Sequence, residues 1–162
     1  MENHKDAEYV ESRFKNAGFD TSYTNPLSLN SGHTHGGELL AIRSGFSSRN
    51  VPKHILEHII KEYGELRFAT RIIEFHNVDI LVVTLYLWVT EGLSVRNNMI
   101  LYQTRMLKHL LSLPFFTIGD FNITFEQFVE SGWAERFKAK MLHPGTPTTT
   151  TASTNRVIDF GF

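Results

Sequence analysis

Apolar residues recur along this chain at two spacings. From Lys53 to Tyr63 the positions Ile55, Leu56, Ile59, Ile60 and Tyr63 fall on one side of a helical wheel, which predicts an amphipathic helix of about three turns. A second stripe, Val95, Met99, Tyr102, Met106, Leu110 and Leu113, predicts a longer helix capped by Ser94 and ended by Pro114. A short helix is expected from Asp6 to about Ala17, stopped at Gly18. Extended segments are expected where apolar residues run nearly unbroken: Glu38 to Ile42, Leu66 to Phe75, Val78 to Val89, Phe115 to Ile118 and Arg156 to Phe162. Asn77 gives the second and third of these the pattern of an antiparallel pair. Thr124 and Gln127 form a capping box for one more short helix. Two stretches read as loops, Asp20 to Gly37 and the Thr-rich 144–155, the latter expected to be mobile. The implied fold class is α/β (α+β), with a mixed or antiparallel sheet and helices packed outside.

Composition narrows the classes. The 162 residues, 41% of them apolar, suit one domain able to hold a core unaided. There is no cysteine, which excludes thiolate zinc sites, thiol nucleophiles and a disulfide scaffold. The formal charge is -1, and no basic run with interleaved aromatics singles out nucleic acid. The polar start Met1-Glu2-Asn3-His4 is unlike an export signal, which favours an intracellular protein. The longest apolar stretch, Ile80 to Val89, is about half the roughly 20 residues that a bilayer-spanning helix requires.

Candidate chemistry concentrates in Phe115-Phe116-Thr117-Ile118-Gly119-Asp120-Phe121-Asn122. An apolar strand ends there at a glycine, and Asp120 and Asn122, two apart on extended backbone, project the same way. A carboxylate can deprotonate a water while a neighbouring amide donates to a phosphate oxygen without repelling it. Ordinary turn chemistry explains the same pair. The wider order of motifs decides between them: Gly36-Gly37-Glu38-Leu39-Leu40-Ala41-Ile42, Val83-Thr84-Leu85-Tyr86, Gly119-Asp120-Phe121-Asn122 and Arg156-Val157-Ile158-Asp159-Phe160 follow one another as in the endonuclease/exonuclease/phosphatase family of Mg²⁺-dependent phosphoesterases, which the chain resembles nearly end to end. Met1-Glu2 matches that family's Gln-Glu, with Met in place of Gln.

The resemblance implies a two-sheet sandwich and hydrolysis of phosphodiesters, with nucleic acid as first substrate and nucleotides, phosphoinositides and other phosphate esters open. It implies that Glu2 binds Mg²⁺ or Mn²⁺, that Asp120 aligns and activates water, that Asn122 holds this water or the phosphate, that Tyr86 donates to a phosphate oxygen, and that Asp159 orients a catalytic histidine. The family's first strand and its closing Ser-Asp-His have no counterpart here, so the domain is expected to be incomplete and weakly active or inactive. A non-catalytic remnant or interaction module of the same fold is the alternative. A zinc peptidase pattern, His54-Ile55-Leu56-Glu57-His58, is also present, but the apolar stripe of its helix leaves His54, Glu57 and His58 facing solvent. His33 and His35, just before Gly36-Gly37, read as polar loop residues.

Overall fold

The computed structural model describes residues 4–24, 27–28, 34–35, 37–151 and 154–162. In chain order the elements are α1 (His4–Asn16), β1 (Phe19–Tyr23), β2 (Leu27–Ser28), β3 (Thr34–His35), β4 (Leu39–Arg43), β5 (Ser48–Arg49), α2 (Lys53–Tyr63), β6 (Phe68–Phe75), β7 (Val78–Tyr86), α3 (Val95–Leu111), β8 (Phe115–Asp120), α4 (Phe125–Glu130), α5 (Trp133–Phe137), β9 (Thr149–Thr151), β10 (Thr154–Arg156) and β11 (Asp159–Gly161). A five-stranded mixed sheet runs β11-β8-β7-β6-β5. β7 and β8 are parallel, joined through α3, and the other neighbours are antiparallel. The antiparallel pair β1-β4 forms a second sheet laid over β6 and β7.

Alternation along the strands assigns the two faces. Leu81, Val83, Leu85 and Leu87 are buried beneath α2 and α3 together with Phe121, Phe160 and Phe162. Phe121 stacks on Phe160 with ring centroids 3.9 Å apart, and Phe128 and Phe137 close around Phe162. The opposite face, through Val82 and Ala69, meets Leu40 and Ile42 of β4 in a smaller apolar cluster. Buried Arg71 ties the layers, donating to Asn50 Oδ1 at 3.0 Å, Ser48 Oγ at 2.9 Å and the Thr21 carbonyl at 3.3 Å.

Four expectations need correction. Residues 19–23, read within or beside a loop, form β1: polar Asp20-Thr21-Ser22 stays extended because its backbone pairs with β4 and the Thr21 hydroxyl donates to Glu11. The stripe read along the long helix is not its core face, since Val95 is 84% exposed while Ile100, Leu101 and Leu107 are buried. That inner face also carries Asn97, which donates to the carbonyls of Trp88 and Gly92, and Gln103, which donates to those of Tyr63, Gly64 and Glu65. Inward polar residues that clamp loop carbonyls hide the true face from a hydrophobicity count. In the Thr-rich stretch, Thr149–Thr151 pairs with Thr154–Arg156 as a small hairpin. Ile60 is 43% exposed, at the margin of the α2 stripe. The capping box at Thr124 and Gln127 is present with both of its hydrogen bonds. Among the described residues no helix is long and apolar enough to cross a membrane.

Candidate active site

The site forms where β7 and β8 end and β11 begins. Strand register places Tyr86 beside Asp120, and Asp120 beside Asp159, in one row across three strands. Burial of Leu85, Leu87, Phe121 and Phe160 beneath the helices turns this row toward the opposite face. Gly119 makes the close pairing possible, because a Cβ there would sit 1.9 Å from the Leu85 carbonyl oxygen. The Phe160 and Phe162 anchors fix the side to which Asp159 projects, while Thr148 Oγ1 accepts from the Ile158 and Asp159 amides at 3.1 and 3.0 Å.

Asn122 joins the group by a turn rather than by strand alternation. Its φ of 50° is left-handed, its backbone N–H donates to Asp120 Oδ1 at 3.0 Å, and its amide donates to the Leu87 carbonyl at 2.7 Å. The Asn122 side chain lies near enough to draw the Tyr86 hydroxyl and the Asp120 carboxyl downward, against the burial that raises both. Asp120, Asn122, Tyr86 and Asp159 are thus brought together, whereas Glu2 lies outside the described residues.

Two further residues complete the surroundings. Glu38, just ahead of β4, lines a cavity of about 580 Å³ with Asp120, Asp159 and Thr84. Its backbone is fastened in both directions to Thr24, through Thr24 N–H to the Glu38 carbonyl and Glu38 N–H to the Thr24 hydroxyl. Burial pushes its carboxyl up to about 7, against the pull of Arg67 and with a further push from Asp120. Arg67 is buried, and its guanidinium lies 4.6 Å from the centroid of Trp88, whose ring Arg96 also covers at 4.2 Å. Its charge acts on both Glu38 and Tyr86. Burial also raises the Asp120 carboxyl, with Asp159 adding to the rise and the Asn122 N–H opposing it. Tyr86 is raised chiefly by burial and then by Asp120. The sequence signal for Glu38 is its place in the Gly36-Gly37-Glu38 motif, and Arg67 offers only a charge ahead of Phe68-Ala69.

His143 reaches the same cavity, yet its ring packs edge-on against Phe125 and its Nδ1 accepts the Gly145 N–H. His54, Glu57 and His58 are exposed on α2, with Glu57 paired to Lys53. Among the described residues no three His, Asp or Glu side chains gather as a metal-binding group.

The chain has the endonuclease/exonuclease/phosphatase fold. Among solved structures it is similar to the endonuclease domain of TRAS1, a telomere-specific non-LTR retrotransposon, with a TM-score of 0.62 and 11% identity over 94% of this chain and 75% of that one. It is likewise similar to the human Nocturnin catalytic domain with bound sulfate anion, with a TM-score of 0.61 and 13% identity over 94% of this chain and 63% of that one. D. rerio TDP2 complexed with single strand DNA product matches with a TM-score of 0.50 and 11% identity over 99% of this chain and 67% of that one. No protein-family model matches the chain, and no curated protein sequence is similar to it.

Proposed function

We propose that the cavity binds a phosphodiester and hydrolyses it, with nucleic acid as the substrate class. The observation that carries this reading is the Tyr86-Asp120-Asp159 row, completed by Asn122, at the strand ends of a fold shared with an endonuclease domain and with a protein bound to DNA product. Asp120, its carboxyl raised by burial, is a stronger base than a free aspartate and takes a proton from the attacking water. As the water oxygen bonds to phosphorus, the ester P–O bond breaks and its electron pair leaves with the alcohol oxygen, which is protonated from solvent. The Asn122 amide and the Tyr86 hydroxyl supply donors for the phosphate oxygens, and Arg67 supplies positive charge nearby. Below about pH 7 a neutral Glu38 spares the anionic substrate one repulsive charge.

The family resemblance adds Mg²⁺ or Mn²⁺ held by Glu2. The described residues do not by themselves assemble a ligand set for it. The test is cleavage of a labelled oligonucleotide by the full chain, with and without Mg²⁺, against the Asp120→Ala and Tyr86→Phe variants. Slow cleavage that falls by about 100-fold or more in Asp120→Ala is expected, the usual scale for losing a general base. Absence of cleavage by folded wild-type protein under both conditions would leave a non-catalytic interaction module.

A further inference from the structure

At the opposite end of β8 the structure gathers positive charge that no short stretch of sequence displays. Arg105, Lys108 and His109 come from the last turns of α3, Ser112 follows them, and Arg136 and Lys138 come from the end of α5. Together they line a cleft of about 430 Å³ that has no carboxylate in its wall. Among the described residues none of these side chains forms an ion pair, although acidic residues outnumber basic ones in the chain, 17 to 16.

Part of the cluster supports the fold. Arg105 Nε donates to the Arg136 carbonyl at 3.2 Å, and Lys108 Nζ donates to that of Phe137, so both cap the carbonyl end of α5. Each spends one donor there, and the Lys108 ammonium also lies 4.4 Å from the Phe115 ring centroid, while both residues line the cleft. Lys138 is the C-cap residue of α5 and donates its backbone N–H to the carbonyls of Ala134 and Glu135, but its ammonium takes no part in the capping, and it sits at a left-handed φ of 50°, a conformation that disfavours a side chain. A glycine or asparagine would suit that backbone better, yet a second ammonium is placed beside Lys108. The two repel, and Lys108 is held below its usual range by burial first and by Lys138 and Arg105 next.

We propose that this cleft is a phosphate-binding site, separate from the carboxylate cavity, which takes either free phosphate or a phosphate of a nucleic-acid backbone. The Arg105 guanidinium, two ammonium groups and a hydroxyl offer more donors and more charge than one carboxylate can satisfy, Arg136 adds charge while donating to the Tyr102 hydroxyl at 3.1 Å beside the Trp133 ring, and a phosphate accepts through three oxygens. The cleft is too small for a folded partner's side and large enough for a phosphate with its sugar. The inference does not depend on the hydrolytic reading of the other end.

The experiment titrates the full chain with inorganic phosphate by calorimetry and with a short fluorescent oligothymidylate by anisotropy, at several salt concentrations. Arg105→Gln/Lys138→Gln is expected to weaken binding at least about tenfold and to reduce the salt slope for the oligonucleotide by about 1.4, at roughly 0.7 per lost phosphate contact. Lys138→Gly, which also relieves the left-handed residue, keeps the fold intact and is expected to weaken binding in the same direction. Phosphate that competes with the oligonucleotide identifies the backbone as ligand; phosphate binding without oligonucleotide binding identifies the free anion. Wild-type affinity in the double variant, no binding of either probe by the wild type, or capture of an oligoglutamate peptide in place of both would overturn the proposal. Asp120→Ala abolishing cleavage while the double variant binds normally would sink this site and leave the hydrolytic one standing.

Discussion

β8 connects two polar regions of opposite sign about 17 Å apart, taking its six residues at about 3.3 Å each. At its C-terminal end Asp120, Asp159 and Glu38 share one cavity; beyond its N-terminal end Lys108 and Lys138 share another with two arginines. In both regions the charges are displaced in the direction that like neighbours and burial impose, carboxyls upward and Lys108 downward. Neither arrangement is what stability alone selects, since each places groups where the charged form is disfavoured. The difference is in how rigidly they are held. The acidic end is built on paired strands and backbone hydrogen bonds, whereas the basic end is carried by helix termini and exposed side chains.

That contrast predicts where the molecule breaks first. Gly119→Ala should be the most damaging single change, because its Cβ would collide with the Leu85 carbonyl one pair from the C-terminal end of the β7–β8 pairing. Backbone cannot yield as a flexible side chain can, and overpacking of this kind costs about 3 kcal/mol or more. Urea unfolding reads the loss. Wild-type stability for Gly119→Ala would show that the acidic end is less rigidly built than the register implies.

Glu38→Gln should act in the opposite direction and only at high pH. The folded-state carboxyl titrates at about 7 and the ordinary value is 4.5, so between these the native chain binds more protons than the unfolded one. Stability contributed by this group is therefore complete below about 4.5, falls as pH rises through the window and levels off above 7. At pH 8 the neutral amide should be more stable by up to about 3 kcal/mol, the limit set by about 1.36 kcal/mol per pKa unit. Near pH 4.5 the two proteins should unfold alike. Denaturant curves at the two pH values check this, and an equal gain at both would mean that Glu38 is not the titrating group.

Much of the acidic end is legible in the sequence, and the reason is locality. Gly119, Asp120 and Asn122 lie within one turn, and alternation in Phe160-Gly161-Phe162 fixes the side to which Asp159 faces. Glu38 is legible only as part of a motif, its place beside the row appearing once β4 is laid over the larger sheet, and Arg67 is not legible because, just ahead of β6, it acts on Tyr86 only through the β6–β7 pairing. The basic cleft escapes for the same reason, its cations being split between α3 and the end of α5. On α3 the period is legible and its direction is not: Asn97 and Gln103 point inward to serve loop carbonyls, so the apolar stripe lies to one side of the core face. Tyr102 of that stripe packs instead on Trp133, ring centroids 4.9 Å apart.

Gln103→Ala tests the framework between the two ends. One buried amide holds the carbonyls of Tyr63, Gly64 and Glu65, the turn that leads into Arg67. Its removal takes the side-chain donor from those carbonyls and should cost about 2 kcal/mol, at about 1 kcal/mol or less for each hydrogen bond, since Gly64 and Glu65 are exposed and water can replace the amide there. Arg67 should loosen with it, so diester cleavage should fall while phosphate binding at the basic cleft is unchanged. Equal loss of both functions would mean that α3 transmits the damage and that the two ends are not independent.

The smallest effect expected is a gain. Lys138→Gly removes a side chain from a left-handed residue and one ammonium from beside Lys108, and both changes favour the folded state. Glycine's greater freedom in the unfolded chain offsets part of this, leaving about 1 kcal/mol. Thermal unfolding in low and high salt separates the contributions, because the relief of repulsion is screened and the relief of strain is not. A gain that vanishes in high salt would assign the whole cost of Lys138 to charge, and one that persists would assign it to the backbone. A loss of stability would mean that Lys138 supports α5 in a way that its exposed ammonium does not show, and the basic end would then resemble the acidic end in being held together by its own polar groups.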